Sequence, residues 1–149
     1  AEDFKLSTGT FVSVGPLRAR VTAGGAPYIQ DVVLTGLNRH EVGALIFPNM
    51  AACRAFAGLP DNTPAKDVVA NRAVREHFQG LVHDLAASAT GSANRIALLA
   101  LLADPPSLDL GEVTDKGSIN QRAVLKNRAA LVDALHDGTL AEAIAPHNA

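Results

Sequence analysis

Apolar residues fall into short β-prone runs over the first third of the chain and into helical spacing from residue 63 onward. Two such runs between residues 4 and 14 flank Ser7-Thr8-Gly9-Thr10, where Gly9 supplies the conformational freedom of a tight turn, and a β-hairpin is expected. Pro16 suits the first turn of a short helix over residues 17–22, ended by Gly24-Gly25. Residues 31–35 and 42–47 read as strands joined by a polar connection and stopped by Pro48, and an antiparallel pair follows.

Asn49 is the expected cap of a helix through Phe56, with Gly58 past its end and residues 59–62 in a loop. Thr63 then caps a longer helix with Pro64 at its first position. Val74, Phe78, Leu81, Val82 and Leu85 form its apolar face, and its end is expected near Thr90-Gly91. Residues 95–103 fit helix or strand by periodicity alone. Residues 118–136 predict a helix with Val124, Leu131, Val132 and Leu135 inward, Lys126 and Arg128 outward, and Gly138 closing it. Residues 140–149 read as a last frayed helical turn. No repeat interrupts this order, which describes a compact α+β unit.

A length of 149 residues suits one domain, and 48% hydrophobic residues with 4% aromatics and no Trp predict a core of Ala, Leu and Val. A net charge of −2 offers no electrostatic footprint for nucleic acid. The apolar run at 96–103 is too short to span a bilayer, and no signal peptide is visible, so neither a nucleic-acid nor a membrane partner is expected. Cys53 stands alone on a predicted helix, a small buried thiol rather than a nucleophile; with no Cys/His ligand spacing, no metal site is expected and the reading is a reduced, cytoplasmic protein. His40, His77, His83, His136 and His147 fall on predicted turns or polar helix faces without a nucleophile and carboxylate arrangement. The chain opens at Ala1, without Met, in a charged segment, the pattern expected of a piece of a longer protein.

Residues 112–122, Glu-Val-Thr-Asp-Lys-Gly-Ser-Ile-Asn-Gln-Arg, carry the chemistry. Lys116 sits on a Gly-containing loop at a helix entrance, a compact cation on a flexible stem able to meet a carboxylate or a phosphate. The same pair also fits a solvated turn.

This stretch resembles the C-terminal signature T-x-x-G-K-I-x-R of the adenylate-forming superfamily of acyl-CoA synthetases, peptide-synthetase adenylation domains and firefly luciferases. Thr114, Gly117, Ile119 and Arg122 follow it, but Lys116 precedes the glycine, Ser118 takes the usual lysine place and one extra residue precedes the arginine. Near the start, Phe4-Lys5-Leu6-Ser7-Thr8-Gly9-Thr10-Phe11-Val12 resembles the family hairpin I-K-x-x-G-x-x-V-x-P, with Pro16 displaced. Residues 31–36 and 42–47 are similar to its strand, turn and G-x-x-x-A-F-V segment. The wording of both end motifs looks most like feruloyl-CoA synthetases.

The resemblance implies an α+β lid domain spanning residues 1–149, with a hairpin, a short sheet of about three strands including residues 95–103, and packing helices. Residues 1–4 would be the hinge region, with Glu2 and Asp3 at the hinge itself. The large N-terminal domain that binds ATP and the acid is absent from this chain, so the fragment alone is expected to be inactive. The whole enzyme would use ATP, Mg2+ and CoA to activate a hydroxycinnamic acid such as ferulate through an acyl-adenylate, with its own N-terminal domain as partner. Lys116 is then the catalytic lysine. Thr8, Gly9 and Thr10 would line the CoA pantetheine channel, and Lys5, Arg18 and Arg20 are candidate contacts for the CoA phosphates. A lid from another adenylate-forming ligase, for fatty acyl or aryl acids, and a free-standing α+β binding module remain the alternatives.

Overall fold

The computed structural model describes residues 2–146. Strands β1 (Phe4–Lys5) and β2 (Phe11–Val12) form the expected antiparallel hairpin. Strands β3 (Ile29–Thr35), β4 (Val42–Pro48) and β5 (Ile96–Leu101) form a mixed sheet in the order β3-β4-β5, antiparallel between β3 and β4 and parallel between β4 and β5. Helix α1 (Val14–Gly25) precedes the sheet; α2 (Met50–Ala57), α3 (Ala65–Ala70) and α4 (Arg72–Ala87) make the crossover from β4 to β5; α5 (Gln121–Asn127) and α6 (Ala129–Asp137) follow it. The fold is the expected small α+β domain.

Both faces of the sheet are covered, and the period of two along each strand sorts its side chains between two cores. Val32, Leu34, Ala44, Ile46, Leu99 and Leu101 face α1 to α4, meeting Leu17, Val21, Val74, Phe78 and Val82. Val33, Leu45, Phe47, Ala100 and Leu102 face the other way, toward Val124, Leu131, Val132 and Leu135 of α5 and α6. Central β4, buried along its whole length, therefore reads as an unbroken apolar run. Residues 95–103, ambiguous by period, supply β5 for the same reason. Asn49 and Gly58 cap α2 as expected: Asn49 Oδ1 accepts from the Ala52 amide, and Gly58 takes φ +67°.

Several boundaries differ from expectation, through contacts remote in sequence or local to a side chain. Helix α1 starts at Val14 rather than Leu17, and the Asp3 carboxylate accepts from the Val14 amide at 2.9 Å, as an N-cap would. It also runs through both glycines. A Cβ on Gly25 would sit 2.3 Å from Ile29 Cδ1, so this residue serves close packing rather than helix termination. The helix expected from Thr63 is two helices, because Asn71 takes an extended conformation and its Oδ1 accepts from the Val74 amide to open α4. Thr63 instead donates its hydroxyl to Pro60 O, and Pro64 occupies the cap of α3. Helix α4 ends at Ala87, where Arg20 binds Leu85 O and Ser88 Oγ, rather than at Thr90-Gly91.

The helix expected over 118–136 starts at Gln121, capped by Asn120 Oδ1 on the Ala123 amide, and breaks at Arg128. Arg128 turns inward instead of outward, with its side chain 17% exposed. Residues 140–146 are not a frayed helical turn: Ile144 exchanges both backbone hydrogen bonds with Leu99, at 2.8 and 2.9 Å, along the free edge of β5. Residues 147–149 of that expected turn, His147 among them, lie outside the described residues. Among the described residues, no helix is long and apolar enough to cross a membrane.

Candidate functional site

Lys116 stands at the tip of a tight hairpin. The Gly117 amide donates to Thr114 O at 2.8 Å, the Thr114 amide to Ser118 O at 2.9 Å, and the Ser118 amide to Thr114 Oγ1 at 3.1 Å. Gly117 takes φ +83°, which a glycine adopts without Cβ strain, and this turn therefore suits glycine at the position directly after Lys116. Val113 and Ile119 pair across the base, and the Asn120 amide donates to Glu112 O immediately before α5 begins. Lys116 itself is exposed.

Glu112, at the foot of this hairpin, is 1% exposed and held by a fork from Arg128: Nε to Oε2 at 3.1 Å and a terminal nitrogen to Oε1 at 2.9 Å. The Ser107 amide also donates to Oε1, and Asn127 Nδ2 reaches Oε2 at 3.4 Å and Leu110 O at 3.1 Å. The Arg128 hydrogen bonds, joined by that of Ser107, hold the Glu112 carboxyl below the usual carboxylate range against the opposing effect of burial. Arg128 donates further to the carbonyls of Asp104 and Pro105 and lies 5.0 Å from the centre of the Phe47 ring. Breaking a buried pair of this kind costs on the order of 3–5 kcal/mol. Neither partner carries a spacing signal in the sequence, since the pairing spans sixteen residues and closes only when the loop folds back on the α5–α6 break.

The amino-terminal hairpin repeats the turn of the Lys116 hairpin. The Gly9 amide donates to Leu6 O at 2.9 Å, the Leu6 amide to Thr10 O at 2.9 Å, and Gly9 takes φ +86°. The hydroxyls of Thr8 and Thr10 lie 2.9 Å apart, and a Cβ at Gly9 would meet no atom within 4 Å. Glu2 and Asp3 line a groove of about 240 Å³ with Phe4, Leu37, Arg122 and Leu125, which brings the expected hinge beside the arginine of the second motif. Lys116, the Gly9 turn, Arg18 and Arg20 lie outside that groove.

Of the expected phosphate contacts, Lys5 is exposed, while Arg18 donates Nε to Val32 O at 2.9 Å and Arg20 donates to Asn94 O and Leu85 O at 2.8 and 2.9 Å. Cys53 is buried on α2, and burial pushes its thiol pKa up, as expected of an inert thiol. Two histidines depart from the expected polar positions. His77 packs against Tyr28 and Phe56 with ring centres 4.5 and 4.8 Å away, and His136 meets Thr35 beside the sheet. Among the described residues, no group of three or more His, Cys, Asp or Glu could hold a metal ion.

The family model described as the AMP-binding enzyme C-terminal domain matches residues 3–139. The chain belongs to that family. No curated protein sequence matches it. The domain is similar in fold to the adenylation domain of a carboxylic acid reductase from Segniliparus rugosus, solved with AMP and a co-purified carboxylic acid (TM-score 0.61, 20% identity, covering 91% of this chain and 20% of that one). It is similar also to the A-PCP didomain of carboxylic acid reductase from the same organism in complex with AMP (TM-score 0.60, 20% identity, 90% and 17%). A third likeness is to the adenylation domain of a carboxylate reductase from Mycobacterium chelonae (TM-score 0.58, 20% identity, 89% and 19%). The AMP-binding enzyme C-terminal domain thus spans about a fifth of the solved chains it matches. Its family match runs from Asp3, past both glycine-turn hairpins, to Thr139 just beyond α6.

Proposed function

We propose that this domain is the mobile lid of an ATP-dependent acid-CoA ligase that activates a hydroxycinnamic acid such as ferulate. The parent enzyme joins the carboxylate to the α-phosphate of ATP, releasing pyrophosphate, and then passes the acyl group from AMP to the thiol of CoA. The observation that carries this reading is Lys116, exposed at the tip of a hydrogen-bonded hairpin whose sequence resembles that of feruloyl-CoA synthetases. From there its ammonium group would bridge the acid carboxylate and the α-phosphate, stabilising charge as the two oxygens approach. For the second step the lid would turn about Glu2 and Asp3, bringing Thr8, Gly9 and Thr10 to the pantetheine arm. Lys5 is the exposed candidate for the CoA phosphates; Arg18 and Arg20 would contribute with the donors their internal hydrogen bonds leave. Magnesium would accompany ATP, held by its phosphates and the large domain.

A second reading, another adenylate-forming enzyme acting on a different acid, draws on the likeness in fold to carboxylic acid reductase adenylation domains. The test is the parent enzyme with ATP, CoA and a panel of acids. Ferulate-dependent pyrophosphate release followed by feruloyl-CoA supports the first reading, and Lys116→Ala should lower acid-dependent ATP/pyrophosphate exchange by a factor of about 10²–10³. Exchange with aliphatic or simple aryl acids alone would favour the second. No exchange with any acid would leave a binding module.

A further inference from the structure

We infer that Arg128 is a positioning residue for the Lys116 hairpin, holding it through Glu112. The inference rests on the proposed role of Lys116. The hairpin at 114–118 has few internal restraints: its backbone bonds close one turn, and its side chains from Thr114 to Ser118 are exposed. What fixes its direction is its foot. Glu112 heads one arm, its carbonyl accepts the amide of Asn120 at the foot of the other, and its own amide donates to Ser107 O at 2.8 Å, so the two arms are tied together at this residue. Its carboxylate is then forked by Arg128, whose remaining donors hold Asp104 O and Pro105 O and whose guanidinium lies against Phe47 on central strand β4. A continuous path of contacts therefore runs from the buried sheet through Phe47 and Arg128 to Glu112 and the turn that carries Lys116. The break between α5 and α6 at Arg128, with φ −112° and ψ 30°, lets a side chain from an otherwise continuous helical stretch aim at the loop.

A group that only stabilises the fold and one that aims a catalytic lysine differ in which half-reaction they affect. The test uses Arg128→Lys, which keeps the charge and loses the fork, with Glu112→Gln as the second variant should the first fail to fold. In the 149-residue chain, amide exchange at Glu112, Thr114, Gly117 and Asn120 should accelerate about tenfold or more while β3 and β4 keep their protection. In the parent enzyme, ATP/pyrophosphate exchange should fall about 10- to 100-fold, with thioester formation from supplied acyl-adenylate retained. Added to Lys116→Ala, Arg128→Lys should lower exchange by less than about twofold more, since two changes in one unit do not add.

Unchanged amide exchange at the hairpin in a folded variant overturns the clamp whatever Lys116 does. Equal loss of both half-reactions, or full additivity with Lys116→Ala, makes Arg128 a stabilising residue and overturns the positioning role. If Lys116→Ala alone leaves pyrophosphate exchange intact, the proposed catalytic lysine fails and the positioning role fails with it. Accelerated hairpin exchange in that case would identify a structural anchor only.

Discussion

The hydroxyl of Thr35 lies 2.7 Å from Nε2 of His136, and Gly43 fills the remaining space beside both. Thr35 on β3 pairs with Gly43 on β4, while His136 belongs to the last turn of α6. The contact ties the buried end of β3 to the helix layer over the second core, and the absence of a side chain at 43 gives it room. A Cβ on Gly43 would stand 2.5 Å from Thr35 Oγ1 and 2.9 Å from Leu98 Cδ1, closer than packed atoms tolerate.

Gly43→Ala should therefore destabilise the domain even though alanine favours a strand no less than glycine. The expected loss is about 1–3 kcal/mol, the usual result of overfilling a packed interior. Urea unfolding of the 149-residue chain measures it. Thr35→Ser, which keeps the hydroxyl and removes a methyl group, should lose less. A Gly43→Ala protein as stable as the parent would show that Thr35 and Leu98 move aside without cost.

Acid should weaken the fold in two stages. Burial, helped by the charge of Arg39, pushes the pKa of His136 below its ordinary 6.5, with Asp137 and Asp133 opposing; burial alone lowers that of His77. A lowered folded-state pKa means that the unfolded chain takes up the proton first, so this stability is present above pH about 6.5 and is lost as pH falls through the lowered values. Glu112 follows. Its depressed carboxyl pKa contributes stability that is present above the ordinary 4.5 and disappears as pH drops below it. Urea midpoints should fall between pH 7.5 and 5.5, and His136→Gln should flatten that part of the profile. A profile unaltered by His136→Gln would assign the first stage to His77.

The β3–β4 pair and the apolar helix faces of both cores were legible because their causes are local, whereas β5 was expected only through the family resemblance. A run of apolar residues at 42–47, the cap at Asn49 and the αL glycine at 58 each determine structure within a few positions. Asp3, Asn71 and Arg128 escaped the reading for the opposite reason. The first caps a helix eleven residues away and the third pairs with a carboxylate sixteen residues away, distances at which no periodic pattern operates. Asn71 does act locally, but the apolar face continues from α3 into α4 and masks the break. At the candidate site, the glycine turns at 9 and 117 were readable as turns, whereas the buried support beneath Lys116 was not. Arg18 and Arg20 looked like surface cations because only the folded chain shows the carbonyls of Val32, Leu85 and Asn94 waiting for them.

Under the proposed function, substitution of Gly9 should separate the two half-reactions of a turning lid. Its φ of +86° requires a conformation that L side chains rarely adopt, yet a Cβ there would meet nothing within 4 Å, so the cost of a larger residue is backbone strain without a clash. Gly9→Leu should lower the stability of the 149-residue chain by about 1–3 kcal/mol and leave its unfolding cooperative. In the parent enzyme the leucine would project from an exposed turn into whatever the hairpin approaches. Under the proposed function that is the pantetheine arm in the second conformation, so ferulate-dependent pyrophosphate exchange should stay near normal while CoA consumption falls. This is the reverse of Lys116→Ala. Gly9→Ala, with the same strained φ and a single added methyl, should share the stability loss and keep most of the CoA-dependent step. If Gly9→Leu and Gly9→Ala instead depress both half-reactions alike, the turn matters only for folding, and a lid that presents two different hairpins in succession is not how this domain works.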